Sequence, residues 1–127
     1  MSWDRAAVAK ALAAQLEAAV PDVTVYDRPR YNLNAPAIVV GHAAETRYST
    51  HAMTIDDTQL PVTCVAGTER EDDVADLIAD VRTAVLADVT LGGAVQSATP
   101  LLERNWRPLK VAGADLLAAD VVLQVYM

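Results

Sequence analysis

The residues able to do chemistry are few, and their spacing builds no familiar centre. Cys64 is the single cysteine, set between Thr63 and Val65 in an apolar run. A nucleophilic cysteine needs a helix N-terminus or a cationic neighbour to lower its pKa. No cation lies near it in sequence, so it reads as a buried structural thiol. His42 and His51 are the only histidines, nine residues apart. A zinc site wants three or four closely spaced ligands, so both read as loop histidines. Glu69, Glu71, Asp72, Asp73, Asp76 and Asp80 crowd the start of a predicted helix. Carboxylates there complement the helix dipole, and no Asp-x-Asp-x-Asp-Gly calcium loop accompanies them. Gly92-Gly93 belongs to neither phosphate-binding glycine pattern. No Gly-x-Ser-x-Gly elbow occurs, and no spacing selects a Ser-His-Asp triad. The expectation is a non-enzyme with no cofactor and no resident metal.

Composition narrows the function classes further. A chain of 127 residues, 53% of them apolar, suits one domain spanning 1–127 with one core. The apolar runs are only a few residues long, far short of the ~20 that cross a membrane. The opening Met-Ser-Trp-Asp-Arg does not resemble a signal peptide. Seventeen acidic residues oppose ten basic ones, for a net charge of −7. Counterion release rewards basic surfaces, so this balance argues against specific nucleic-acid binding and against an anionic membrane surface. A lone cysteine forms no internal disulfide. Phenylalanine is absent, so the core must be built from Val, Leu, Ile and Ala.

Those residues must be positioned by elements that the hydrophobic pattern places. Val8, Leu12, Leu16 and Val20 recur every four residues, which predicts a helix over Trp3–Ala19, capped by Ser2 and stopped at Pro21-Asp22. Val23–Tyr26 reads as a short strand. Ala37–Val40 reads as a strand buried on both faces, and Leu60–Val65 as another. Thr68 and Glu71 have the spacing of a capping box. Val74, Leu77, Ile78, Val81 and Val85 then predict a helix over Glu69–Leu86. Ala94–Ala98 and Arg104–Val111 read as two separate strands. Leu116–Tyr126 alternates apolar and mixed residues, as a half-buried strand does. The order is α-β-β-β-α-β-β-β. It implies an α+β fold: a mainly antiparallel β-sheet, strands joined by hairpins, with two α-helices packed on one face.

Two segments look built for contact. His42 to Gln59 is a long polar-mixed stretch carrying Arg47, Tyr48, His51, Met53 and Ile55. It reads as an extended β-hairpin or loop arm that continues the flanking strands, with Asp56-Asp57-Thr58 as a turn before the return strand. Such an arm packs either on a partner or back on its own sheet. The loop Asp27–Pro36 holds Arg28, Arg30 and Tyr31, residue types favoured at interfaces. The alternative is a solvated turn. Arg28, Arg30, Tyr31, Arg47, Tyr48, His51, Met53 and Ile55 are therefore the candidate interface residues.

The whole arrangement resembles a tail terminator, or tail-completion, protein of long-tailed bacteriophages. The resemblance rests on an N-terminal helix ending at Pro21, then Val-Thr-Val-Tyr, a loop into Pro-Ala-Ile-Val-Val and a long polar excursion. Leu-Pro-Val-Thr-Cys-Val, the helix Asp-Asp-Val-Ala-Asp-Leu-Ile-Ala-Asp-Val and the closing Gly-Ala-Asp-Leu-Leu-Ala-Ala-Asp-Val-Val-Leu-Gln-Val-Tyr complete it. It covers nearly the whole chain through element order and hydrophobic pattern, with no invariant motif. It implies a homo-oligomeric ring, normally of six subunits, that caps the tail tube, stops its polymerisation and presents a surface for the head-tail connector. It implies no catalytic residues, and it makes 42–59 the segment that reaches a neighbour or the tube. The location implied is the tail-neck junction of the virion, after synthesis in the host bacterial cytoplasm. The rivals are another neck or head-closure protein, a small enzyme using Cys64, and a ligand-binding domain with an apolar pocket between helices and sheet.

Overall fold

Helix α1 spans Arg5–Ala19 and α2 spans Glu71–Ala87 in the computed structural model, which describes residues 5–28, 33–41, 57–68, 70–111 and 113–126. Five strands follow the chain: β1 Thr24–Tyr26, β2 Ala37–Val40, β3 Asp57–Ala66, β4 Ser97–Val111 and β5 Ala114–Tyr126. They form one sheet in the order β1-β2-β3-β5-β4. Three of its four pairings are antiparallel, and β1 runs parallel to β2. The sheet is thus mainly antiparallel, as the sequence pattern predicts, with the β1–β2 pair its parallel exception.

Both helices lie on one face of this sheet, as their single apolar stripes predict. Val8, Leu12 and Leu16 of α1 and Val74, Ile78, Val81 and Val85 of α2 share a core with Ile38, Val40, Val62, Cys64, Val121, Leu123 and Val125. The strand members of that core occupy alternate positions, the period-2 signature of one sheet face. The fold is α+β, with one strand fewer than the sequence pattern indicates.

The opposite face is less open than a half-buried strand implies. Leu116, Ala118, Asp120 and Val122 are all buried. Leu116 and Ala118 join Ala37 and Val65 in a small second cluster, flanked by Tyr26, Leu33, Ala35 and Leu109. β5 lies between β3 and β4, so its mixed face still finds neighbours on both sides.

Several boundaries differ from the expectations for physical reasons. Ser2 and Asp4 lie outside the described residues. The capping box does not form. Arg70 holds the N-cap position with extended backbone and no side-chain cap bond. The Thr68 hydroxyl instead donates to the Asp73 carboxylate and accepts from the Arg70 amide at 3.3 Å. The cap therefore sits two residues later than the Thr-x-x-Glu spacing suggests. Asp57 and Thr58 are not a turn but the start of β3, paired with Tyr126 and Val125.

The largest difference concerns β4, which is one continuous strand where two were expected. Ala94–Gln96 is a turn leading into it. Two bulges interrupt its register with β5, between Pro100 and Glu103 and between Arg104 and Arg107. Each sets two β4 residues against one on β5 and inverts the in-out alternation. The first bulge brings Glu103 to the helix-covered face opposite Val121, where it meets Arg82 of α2 at 3.1 Å. The second restores Arg107 to the other face, opposite Ala118.

Candidate interface surfaces

Of the expected interface residues, Arg28 alone falls within the described structure. Arg30, Tyr31, Arg47, Tyr48, His51, Met53 and Ile55 lie outside the described residues, as does 42–56 of the arm. Residues 57–59 of the arm are part of β3.

Arg28 is exposed at the rim of a hollow between α1 and β1, at the β1 edge of the sheet. Ala13, Ala14 and Val25 supply its apolar part, and Lys10, Glu17 and Asp27 the rest of its charged rim. Small side chains on this side of α1 are what leave the space. The volume is about 350 Å³, at the lower end of the ~300–1,000 Å³ typical of small-ligand clefts. No ion pair joins any of the four charged rim residues to another described residue. Tyr26 holds the loop beyond it, its hydroxyl accepting from the Asn34 amide at 3.0 Å.

Across β3, β5 and β4 runs a polar cluster that the sequence pattern did not single out. Asp120 of β5 is buried on the face away from the helices. Its Oδ1 accepts from the Thr63 hydroxyl at 2.7 Å and from Arg107 Nη1 at 3.3 Å. Its Oδ2 accepts from Asn105 Nδ2 at 3.2 Å. Arg107 Nη1 also donates to the Asn105 carbonyl at 2.8 Å. Asn105 takes a left-handed backbone conformation with φ of 58°, which Asn tolerates better than most residues. The β4 bulge thus turns Asn105 toward Asp120. The available signal was Asp120, the single charged residue in the apolar run Leu116–Leu123 of β5. Its partners come from other strands, which no local pattern shows.

Beside this cluster stands Trp106, 40% exposed, next to the exposed Arg104. Among the described residues Arg104 forms no ion pair. Leu101 on the same strand is 37% exposed, while Leu86 and Val89 at the end of α2 are 61% and 37% exposed. The Val89 carbonyl accepts from the Ala98 amide at 2.7 Å, which fixes the end of α2 against β4. Of the four exposed large hydrophobics among the described residues, Leu101 and Trp106 lie on β4 itself. Trp and Arg are the residue types that dominate binding energy at protein interfaces.

Cys64 is fully buried, and its thiol is pushed up to about 12, first by burial and then by the charges of Asp120 and Asp80. A thiol in that setting is neutral and shielded, the opposite of what a nucleophile needs. Among the described residues no group of three or more His, Cys, Asp or Glu is arranged to hold a metal ion. No helix in the described structure is long and apolar enough to cross a membrane.

No protein-family model matches the sequence, and no curated protein matches it. Among solved structures, the fold is similar to that of a chain in the virion of a native gene transfer agent particle. The similarity covers 93% of this chain and 92% of that chain, with a TM-score of 0.50 and 14% sequence identity. At that identity, what the two chains share is the fold.

Proposed function

We propose that this chain, as a single domain over 1–127, is a structural subunit of a phage-type virion, and within that class a tail terminator. In this reading its copies form a homo-oligomeric ring, hexameric in the resembling family. The ring caps the tail tube, stops its polymerisation and offers a surface to the head-tail connector at the tail-neck junction. The observation that carries the reading is the fold likeness to a virion chain over nearly the full length of both.

The residues add support. A head-to-tail ring needs two different surfaces on one subunit, and the two edges of this sheet differ in shape and charge. The net charge of −7 would weaken contact with DNA passing through such a ring. The Cys64 enzyme is disfavoured by the burial of its thiol. A ligand pocket between helices and sheet would occupy space that Leu12, Leu16, Ile38, Val81 and Leu123 fill, all of them buried. The same fold likeness is compatible with another neck or head-closure protein, and the partner distinguishes the two.

The test is the solution mass by light scattering, followed by electron microscopy with added tail tubes and, separately, with connector rings. Rings or density at tube ends support termination. Binding to connector rings alone moves the assignment to head closure. A monomer that binds neither sinks the virion-assembly reading.

A further inference from the structure

We propose that Trp106 and Arg104 on the β4 edge of one copy dock into the α1–β1 hollow of the next copy, making a head-to-tail contact. This inference rests on the ring reading above and names its interface. β1 and β4 are the two opposite edges of the sheet. One edge presents an exposed indole and a guanidinium with no ion pair among the described residues. The other presents a hollow of about 350 Å³ floored by Ala14 and Val25 and rimmed by Lys10, Glu17, Asp27 and Arg28.

The rim of the hollow balances two carboxylates against two cations, so it offers a partner both signs of charge. The hollow has room for one aromatic side chain. Glu17 and Asp27 offer carboxylates to Arg104, the bidentate partner that a guanidinium favours. The Arg28 guanidinium matches the face of the indole, a cation–π arrangement. Strand addition at this edge is disfavoured. β4 carries Pro100, Pro108, two bulges and several charges, the devices that blunt sheet edges. The contact is therefore made by side chains inserted into the hollow and not by a shared backbone ladder. Knob and hollow lie on different edges, so each copy uses both, and the contact is heterologous.

Complementary variants of the full chain test this. Trp106→Ala removes the knob, and Ala14→Trp fills the hollow. Both positions are exposed, so the fold should persist, which circular dichroism verifies. Each variant alone is expected to weaken copy-copy affinity by about 30-fold, the scale of an interface hot spot, read by sedimentation over a dilution series. Mixed together, they should form a one-to-one dimer and no ring, because the Ala14→Trp chain keeps its knob and the Trp106→Ala chain keeps its hollow. Arg104→Glu should also weaken assembly, and Glu17→Arg in the same chain should recover most of it. If wild type assembles and both knob and hollow variants assemble equally well, the proposed contact is wrong while the ring reading stands. Variants that fail to assemble yet give no dimer on mixing overturn the head-to-tail pairing. A wild type that stays monomeric alone and on tail tubes overturns both.

Discussion

Thr63 and Asp120 stand directly opposite each other on β3 and β5, and the Thr63 hydroxyl donates to Asp120 Oδ1 at 2.7 Å. This cross-strand pair anchors a cluster that reaches β4 through Asn105 and Arg107. It ties three adjacent strands together on the face away from the helices. Asp120→Ala removes the acceptor that three donors share. The expected cost is about 2 kcal/mol, because charge-assisted bonds contribute more than neutral ones. The half-exposed Arg107 keeps the loss from growing, since it can turn to water. Asp120→Asn should cost about half as much. Urea melts measure both, and an alanine variant within about 0.5 kcal/mol of wild type, the usual range for surface substitutions, would show the cluster to be incidental.

The bulge at Asn105 gives a second prediction. Asn105→Gly and Asn105→Val both lose the hydrogen bond to Asp120, so their difference isolates the backbone. At φ of 58°, a β-branched residue is strained and glycine is free. The valine variant should be less stable than the glycine variant by about 1–2 kcal/mol. Equal stabilities in paired denaturation curves would mean that the strand realigns without its bulge.

Cys64 makes a chemical prediction. Its thiol is buried and its pKa is raised from 9.0 to about 12, so the folded state holds the proton that the unfolded chain gives up near 9. The stability linked to this group is present in full below pH 9 and is lost as pH rises from there toward 12. At pH 8, alkylation by iodoacetamide should be slow in the native protein and fast in denaturant. Cys64→Ser should cost about 1–3 kcal/mol, for placing a hydroxyl in an apolar site. Rapid native alkylation would reopen the enzyme reading.

Asp88 supplies the acid-side counterpart. Its carboxyl is held below the ordinary carboxylate value by the Thr90 hydroxyl, then by the Gly92 and Thr90 amides. The folded state therefore binds this proton more weakly than the unfolded chain does. The linked stability is present above the ordinary value of about 4 and is lost as pH falls through the lower folded value. Asp88→Asn should flatten stability against pH in that acid window, and side-chain NMR titration of wild type should show the depressed midpoint directly. The carboxylate closes the turn that carries Gly92 and Gly93, both at positive φ, beneath the end of α2. Gln15 of α1 reaches the same region, its Nε2 donating to the Ala84 and Asp88 carbonyls at 2.7 and 3.0 Å.

Both helices and the β2 strand were legible in the residues because their signals are local. Val8, Leu12 and Leu16 define a helical stripe without reference to anything else, as do Val74, Ile78, Val81 and Val85. Ala37–Val40 is a short apolar run rich in β-branched residues and bounded by Pro36 and Gly41, which suits a strand inside a sheet. The burial of Cys64 followed from its apolar neighbours in the same way. The α+β class then follows, because two singly striped helices need one sheet face to cover.

The rest depended on which strands pair, and pairing joins residues far apart in sequence. β4 looked like two strands because Pro100 and two bulges break the period-2 pattern. Only the ladder with β5 carries the strand across those interruptions. The parallel course of β1 and β2, the neighbours of Asp120 and the opposition of a Trp106 edge to an α1–β1 hollow arise at the same level. Each is set by register and strand order, which side-chain periodicity within one segment does not encode.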